Sequence, residues 1–174
     1  MPLTRVKKVP TANLVQGSSF LTSVTENELP AGSDLQMLEN RTAADVNNTT
    51  TSYVDCLVLN ITPSSTSNKI AVYAALDVLL YASVRVDALV RLAKVIDGVI
   101  SNISERTIYN LHGSGTYYPY HTDTTPFLIL DSPNTTSQIT YKLQLKKSTS
   151  SGTVYHVRGN AMGQSHLMLQ EIKA

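Results

Sequence analysis

The residues best suited to chemistry lie in one segment, residues 112–126, which reads HGSGTYYPYHTDTTP. His112, His121 and Asp123 carry imidazole and carboxylate groups, which are kinds of ligand that zinc binds in proteins. Their spacing matches none of the established zinc patterns, in which ligands recur at short, regular intervals. We therefore expect no metal and no other cofactor at this segment.

The same segment is rich in tyrosine and glycine, a combination that favours recognition of a partner. A tyrosine on a loop offers a broad apolar ring with a polar tip. The candidate recognition residues are Tyr117, Tyr118, Tyr120 and His121. The alternative is an ordered loop whose rings cover one end of the domain, and the sequence leaves both interpretations open.

Catalytic motifs are absent from the rest of the chain. It contains neither GxSxG nor HExxH, no glycine-rich loop that opens a helix, and no paired carboxylates in an apolar setting. Cys56 is the single cysteine and lies in an apolar run, so we expect it to be buried and unreactive. His156 and His166 lie within strand patterns and read as packed or surface side chains. The sequence therefore predicts no enzyme.

The composition indicates an apolar core under a neutral, hydroxyl-rich surface. Hydrophobic residues make up 42% of the chain and charged residues 16%, and the net charge is +1. A net charge this small steers neither nucleic acid nor an anionic membrane, so we expect neither as a partner. A single cysteine excludes an internal disulfide. With no signal sequence and no apolar run of about 18 residues, we expect a soluble protein made in a cytoplasm.

Two apolar runs, residues 53–61 and 70–81, flank a polar corner at residues 62–69 and predict two buried strands. The first run is apolar on both faces and so needs cover on both sides, as in a sandwich or at a subunit interface. One face carries Leu57, Leu59 and Ile61, and the other, a candidate trimer face, carries Val54, Cys56 and Val58. A homotrimer is the expected assembly and a two-fold dimer the alternative.

The remaining sequence from residue 46 to 174 is all-β in pattern. Residues 83–92 read as a strand, with a helix as the competing interpretation, and Asp97-Gly98 predicts a tight hairpin. The clearest strand spans residues 138–147, where four apolar residues alternate with polar ones: Ile139, Tyr141, Leu143 and Leu145. Further runs at 107–112, 126–131, 153–158 and 166–172 give about eight strands. We predict a jelly-roll-like antiparallel β-sandwich.

Residues 1–45 differ from this pattern, because their apolar residues are scattered and follow no steady period. Such a segment cannot bury its own apolar groups, so we expect an extended N-terminal arm that orders on a partner. The candidate partner-binding residues are Val6, Val9, Leu14, Phe20 and Leu21. The alternative is a short edge strand with loops packed on the same domain.

Three stretches together resemble the β-sandwich domains of tailed-phage virion proteins of the cyanophage and marine-phage type. They are YVDCLVLNITPSSTSNKIAVYAAL, FLILDSPNTTSQITYKLQL and SHLMLQEI, spread over residues 50–172. The likeness lies in the ITPSSTSNKI and LDSP corners, in the YKLQ strand and in the closing strand.

The resemblance implies a trimeric, non-enzymatic structural protein on the exterior of a virion. We expect a capsid cement or decoration protein that binds the major capsid protein. The alternative is a short tail-fibre or receptor-binding protein that contacts host glycan through the tyrosine-rich loop. No shaft-like repeat precedes residue 50, which favours the first interpretation.

Overall fold

The computed structural model describes residues 29–41, 46–81, 87–109, 120–148, 153–156 and 165–174. These residues form ten β-strands and no helix. The strands are β1 (Asp34–Arg41), β2 (Asn47–Asn48), β3 (Val54–Ile61), β4 (Lys69–Tyr81), β5 (Asp87–Ile96), β6 (Val99–Tyr109), β7 (Tyr120–Asp131), β8 (Ile139–Lys147), β9 (Thr153–His156) and β10 (His166–Ile172).

A two-residue turn at Asp97-Gly98 lies at the centre of the topology. Its backbone φ angles are 51° and 79°, both in the left-handed region that a type I′ hairpin turn requires. Ile96 pairs with Val99 across it, and the antiparallel ladder continues from there along β5 and β6. The sequence prediction of a tight hairpin is confirmed.

The other strands pair in nested order around this turn. β4 pairs with β7, β3 with β8, and β1 with β10, all antiparallel, so the chain is one long hairpin. Rolling that hairpin brings β10 beside β4 and β8 beside β5. One sheet then has the order β1-β10-β4-β7, with β9 and β2 added, and the other has β3-β8-β5-β6. This is the jelly-roll order, and the predicted fold class is confirmed.

The core lies between the two sheets and is built by strict alternation. On β8, Ile139, Tyr141, Leu143 and Leu145 are all fully buried, as their period-two pattern predicts. The six-stranded sheet supplies the opposing layer from its own alternate residues, which are Ile70, Val72, Leu76, Val78, Leu167 and Leu169, all fully buried. Each large aliphatic side chain covered in this way contributes about 1.5–3 kcal/mol to folding.

Strand β3 does not have the two apolar faces that the sequence suggested. Its register with β8 shifts between Asp55 and Leu57, so Cys56 is an extra residue at a bulge. The bulge moves Cys56 into the core beside Leu57, while Val58 faces solvent opposite Lys142. Val54, Cys56 and Val58 therefore do not share one face, and their role as a trimer face stays a prediction.

Strand β1 lies within the segment expected to be an arm. It pairs with β10 from Asp34 to Arg41 and supplies the eighth strand of the jelly roll. The chain divides into two units, Met1–Pro30 and Ala31–Ala174, and β1 belongs to the second. Residues 34–41 thus match the alternative of an edge strand, whereas the arm-binding residues Val6, Val9, Leu14, Phe20 and Leu21 lie outside the described residues.

Three further strands differ in extent from the sequence prediction. β5 is a strand from Asp87 to Ile96, as preferred over a helix, and β6 runs unbroken from Val99 to Tyr109. β7 begins at Tyr120, so the end of the tyrosine-rich segment is strand and not loop. Within the described part of the chain, no helix is long and apolar enough to cross a membrane.

Candidate assembly interface

The candidate recognition residues fall in two places. Tyr117 and Tyr118 lie outside the described residues. Tyr120 and His121 are the first two residues of β7 and pair with the end of β4. Because half of the set belongs to a strand, recognition by a loop of this composition stays a prediction.

No arrangement for metal or nucleophilic chemistry is present among the described residues. They contain no group of three or more His, Cys, Asp or Glu side chains that could hold a metal ion. Burial raises the pKa of the Cys56 thiol to about 12, and the neighbouring Asp55 carboxylate adds to the rise. A thiol held neutral at physiological pH is a poor nucleophile.

A groove of about 360 Å³ lies between the facing edges of β6 and β7. Its described lining holds one cation, Arg106, one carboxylate, Asp123, and a set of threonines. The Arg106 guanidinium lies over the ring of Phe127, 5.9 Å from its centroid, and so helps to close the core at this open side. The described lining offers no histidine or cysteine for catalysis.

A buried carboxylate organises the corner between β3 and β4. Glu171 accepts hydrogen bonds from Asn68 Nδ2 at 2.8 Å, from the Ser64 backbone N–H at 2.7 Å and hydroxyl at 2.8 Å, and from Gln36 Nε2. Burial alone would raise the pKa of Glu171, but these four bonds outweigh it and the pKa lies below its ordinary value. The ITPSSTSNKI corner is thus fixed to β1 and β10, which is a structural role.

A second polar cluster ties the two sheets together. Lys94 Nζ on β5 lies 2.7 Å from both carboxylate oxygens of Asp131 at the end of β7. The Tyr141 hydroxyl on β8 donates to the same carboxylate at 2.7 Å. Burial and this bond to Asp131 raise the pKa of Tyr141, so the phenol stays protonated. Because Lys94, Asp131 and Tyr141 are all paired with one another, we interpret this cluster as a structural link between the two sheets.

The outer face of the four-stranded sheet carries a network of charges. Asp55 accepts from Lys142 Nζ at 2.7 Å and from Gln144, whose side-chain oxygen accepts from Arg91 Nε at 2.7 Å. The ring of Tyr53 lies under the Arg91 guanidinium, with its centroid 3.7 Å away, and its hydroxyl donates to Glu105. Two exposed apolar side chains, Val58 and Ile100, lie on the same face as these charges.

The outer face of the six-stranded sheet is apolar instead. Residues opposite each other in an antiparallel ladder share a face, so the registers define two neighbouring rows. The first row is Met37, Gln170, Ala71 and Leu130, and the second is Glu39, Met168, Tyr73 and Leu128. Pro126 extends the apolar surface in the next row. We call Met37, Ala71, Tyr73, Pro126, Leu128, Leu130 and Met168 the apolar face.

Three side chains of the apolar face are exposed to a degree that is unusual for their type. Leu128 is 72% exposed, Met37 65% and Leu130 57%. Polar pairs border the face: Arg41 Nε donates to Glu39 at 2.6 Å, and the Thr124 hydroxyl donates to Asp77 at 2.6 Å. An apolar centre with a polar rim is the anatomy of a protein interface.

The sequence carries a signal for this surface, on β7 and not on β3 where it was expected. Strand β7 contains four consecutive apolar residues, Phe127, Leu128, Ile129 and Leu130. It is therefore apolar on both faces, and such a strand needs cover on both sides. Phe127 and Ile129 pack on the core and the two leucines face outward. In β3 the bulge removes the second face, so the same reasoning failed there.

Comparisons with known proteins find matches among solved structures but none among protein families or curated sequences. No protein-family model matches the chain, and no curated protein matches it in sequence. Among solved structures, the VP2 subviral particle of infectious bursal disease virus is 14% identical with a TM-score of 0.43, over 79% of this chain and 32% of that one. The T13 viral particle of the same virus is 16% identical with a TM-score of 0.40, over 80% and 36%. This chain spans about a third of the length of those two chains.

Proposed function

We propose that this chain is a non-enzymatic structural component of a virus particle and that it assembles through the apolar face. The observation that carries the proposal is the exposure of Leu128, Leu130 and Met37 on the outside of an otherwise well-packed sandwich. Covering one such side chain contributes about 1.5–3 kcal/mol, so three of them supply a useful fraction of a binding energy.

The contrast between the two outer faces supports assembly over catalysis. The four-stranded sheet presents paired charges alongside the exposed Val58 and Ile100, whereas the six-stranded sheet groups its exposed leucine and methionine side chains in two neighbouring rows. The polar clusters with buried members, at Glu171 and at Asp131, are each fully occupied in holding strands together. A protein whose polar groups stabilise the fold and whose apolar groups face outward has the character of an assembly subunit.

Membership of a virus particle is supported by the sequence resemblance to tailed-phage virion proteins. Jelly-roll folds serve in viral capsid and lectin domains, but a fold alone does not assign a function. Within the particle we propose a capsid cement or decoration protein on the outer surface, with the major capsid protein as its partner. A homotrimer is the proposed form, with the apolar face as its contact in place of the face on β3.

The test is the location and stoichiometry of the chain in purified particles of the virus that encodes it. We expect antibody labelling over the whole head and a molar amount comparable to that of the major capsid protein. Labelling at the tail, with a small molar amount, would favour the tail-fibre alternative. Absence of the chain from the particle would overturn the proposal.

A further inference from the structure

We propose that the apolar face is covered by the N-terminal segment, residues 1–28, of a second copy of this chain. The inference rests on the proposed function as an assembly subunit and names the partner of the same face. It would make each copy donate a segment to one neighbour and receive one from another, as chain-linking assemblies do.

The shape of the apolar face favours a single chain segment as its occupant. The apolar residues form a diagonal band across four strands, from Met37 on β1 to Leu128 and Leu130 on β7. Each row contains one polar residue, Gln170 in the first and Glu39 at the end of the second. The band is about two rows deep, and neighbouring rows are about 7 Å apart along the strands. Packing of two whole sheets needs a continuous apolar layer, whereas one segment fits a band of this width.

The described chain enters β1 at an edge of the six-stranded sheet. The Gly32 N–H donates to the Lys173 carbonyl at 2.8 Å, and the Lys173 N–H donates to the Ser33 carbonyl at 2.9 Å. These bonds hold the chain against the end of β10 immediately before β1, which is the edge strand that carries Met37. Gly32 is therefore held at the same edge of the six-stranded sheet as β1.

The segment has the length and the composition to reach and cover a neighbouring copy. A domain of this size is about 35–40 Å across, and the 25 residues from Val6 to Ala31 span up to about 80 Å when extended. It also contains large apolar residues spaced among polar ones, among them Val6, Val9, Leu14, Phe20 and Leu21. A segment with apolar residues along its length can lay them on an apolar band.

The experiment measures how fast a reporter thiol on the apolar face reacts in the full-length protein. Leu128→Cys is introduced with Cys56→Ala, and labelling by a water-soluble thiol reagent is followed over a range of protein concentrations. Val99→Cys, at a site 70% exposed on β6, is the matched reporter away from the face. Phe20→Asp with Leu21→Asp removes the segment's anchors, and Asn13→Asp with Asn27→Asp adds the same charge at polar positions.

We expect the thiol of Leu128→Cys to react on the order of tenfold more slowly than that of Val99→Cys at high concentration, and to lose this protection on dilution. Phe20→Asp with Leu21→Asp should abolish the protection, and Asn13→Asp with Asn27→Asp should keep it. Protection that survives dilution would assign the cover to the chain's own segment and overturn the proposal. If the Phe20 and Leu21 changes left the protection unaffected, another surface would be covering the apolar face. If Leu128→Cys showed no protection at all, the apolar face would be uncovered. Either result would overturn this inference and leave the location in the particle as a separate question.

Discussion

Lys94 and Asp131 face each other from opposite sheets, with Nζ 2.7 Å from both carboxylate oxygens. Their side chains are only 18% and 13% exposed, and Tyr141 donates a further bond to the same carboxylate. A paired charge at this depth is costly to uncouple, because the remaining partner keeps its desolvation penalty without its counter-ion. The pair therefore fixes how the end of β7 sits over β5.

Lys94→Ala should destabilise the fold by about 2–3 kcal/mol, since Asp131 would be left with Tyr141 as its partner. Lys142→Ala is the matched control, because Lys142 also forms a 2.7 Å ion pair, with Asp55, but at side-chain exposures of 25% and 38%. It should cost about 0–1 kcal/mol. Urea denaturation of both variants gives the comparison, and equal losses would show that the Lys94 pair is no more than a surface ion pair.

Glu171→Gln should change how the free energy of unfolding depends on pH in the acid range. The pKa of Glu171 in the folded protein lies below its ordinary value of 4.5, so its ionised form stabilises the fold at pH above that value. This contribution is lost as the pH falls from about 4.5 through the folded pKa. The wild-type free energy of unfolding should therefore fall over this range, and that of Glu171→Gln should start lower and fall less.

Glu39→Gln is the control for that experiment, because Glu39 is a partly exposed carboxylate on β1. Its acid dependence should follow the wild type. If the free energy of unfolding of Glu171→Gln had the same pH dependence as that of the wild type, the four hydrogen bonds would not outweigh the unfavourable burial of the carboxylate.

Cys56 should resist thiol reagents in the native protein at neutral pH and react once the protein is denatured. Burial raises its pKa to about 12 and it belongs to the core. Val58→Cys in a Cys56→Ala background should label rapidly, because Val58 is 36% exposed on the same strand. Rapid labelling of Cys56 in the native protein would show that the bulge in β3 is placed wrongly.

The fold class could be predicted from the sequence because its signals are local. Alternation along β8 and the Asp97-Gly98 turn each lie within a few consecutive residues. The bulge at Cys56 left no such signal, since a bulge changes which face each following residue occupies without requiring a special residue. An edge strand was only the alternative interpretation for the segment that contains β1, because the few apolar residues of β1 alternate over too short a length to stand out.

Only the part of the candidate interface on β7 has a signal in the sequence, because the other members are far apart along the chain. Met37 and Leu128 come to lie on one face only after β1 pairs with β10, β10 with β4, and β4 with β7. The carboxylate of Glu171 likewise meets Ser64 from 107 positions away. Long-range registers decide both features, and a single sequence does not specify registers.

The most direct test of the apolar face is the mass of the full-length protein in solution, compared with two variants of equal chemistry. Leu128→Asp places a charge on the apolar face at a site 72% exposed, and Val99→Asp places one on β6 at a site 70% exposed. Neither change should lower the melting temperature by more than the equivalent of about 0.5 kcal/mol, because both sites are largely solvated. By light scattering, we predict an oligomer for the wild type and for Val99→Asp, and a monomer for Leu128→Asp. A monomeric wild type, or a Leu128→Asp variant with the wild-type oligomeric mass, would contradict the assignment of this face as the assembly interface.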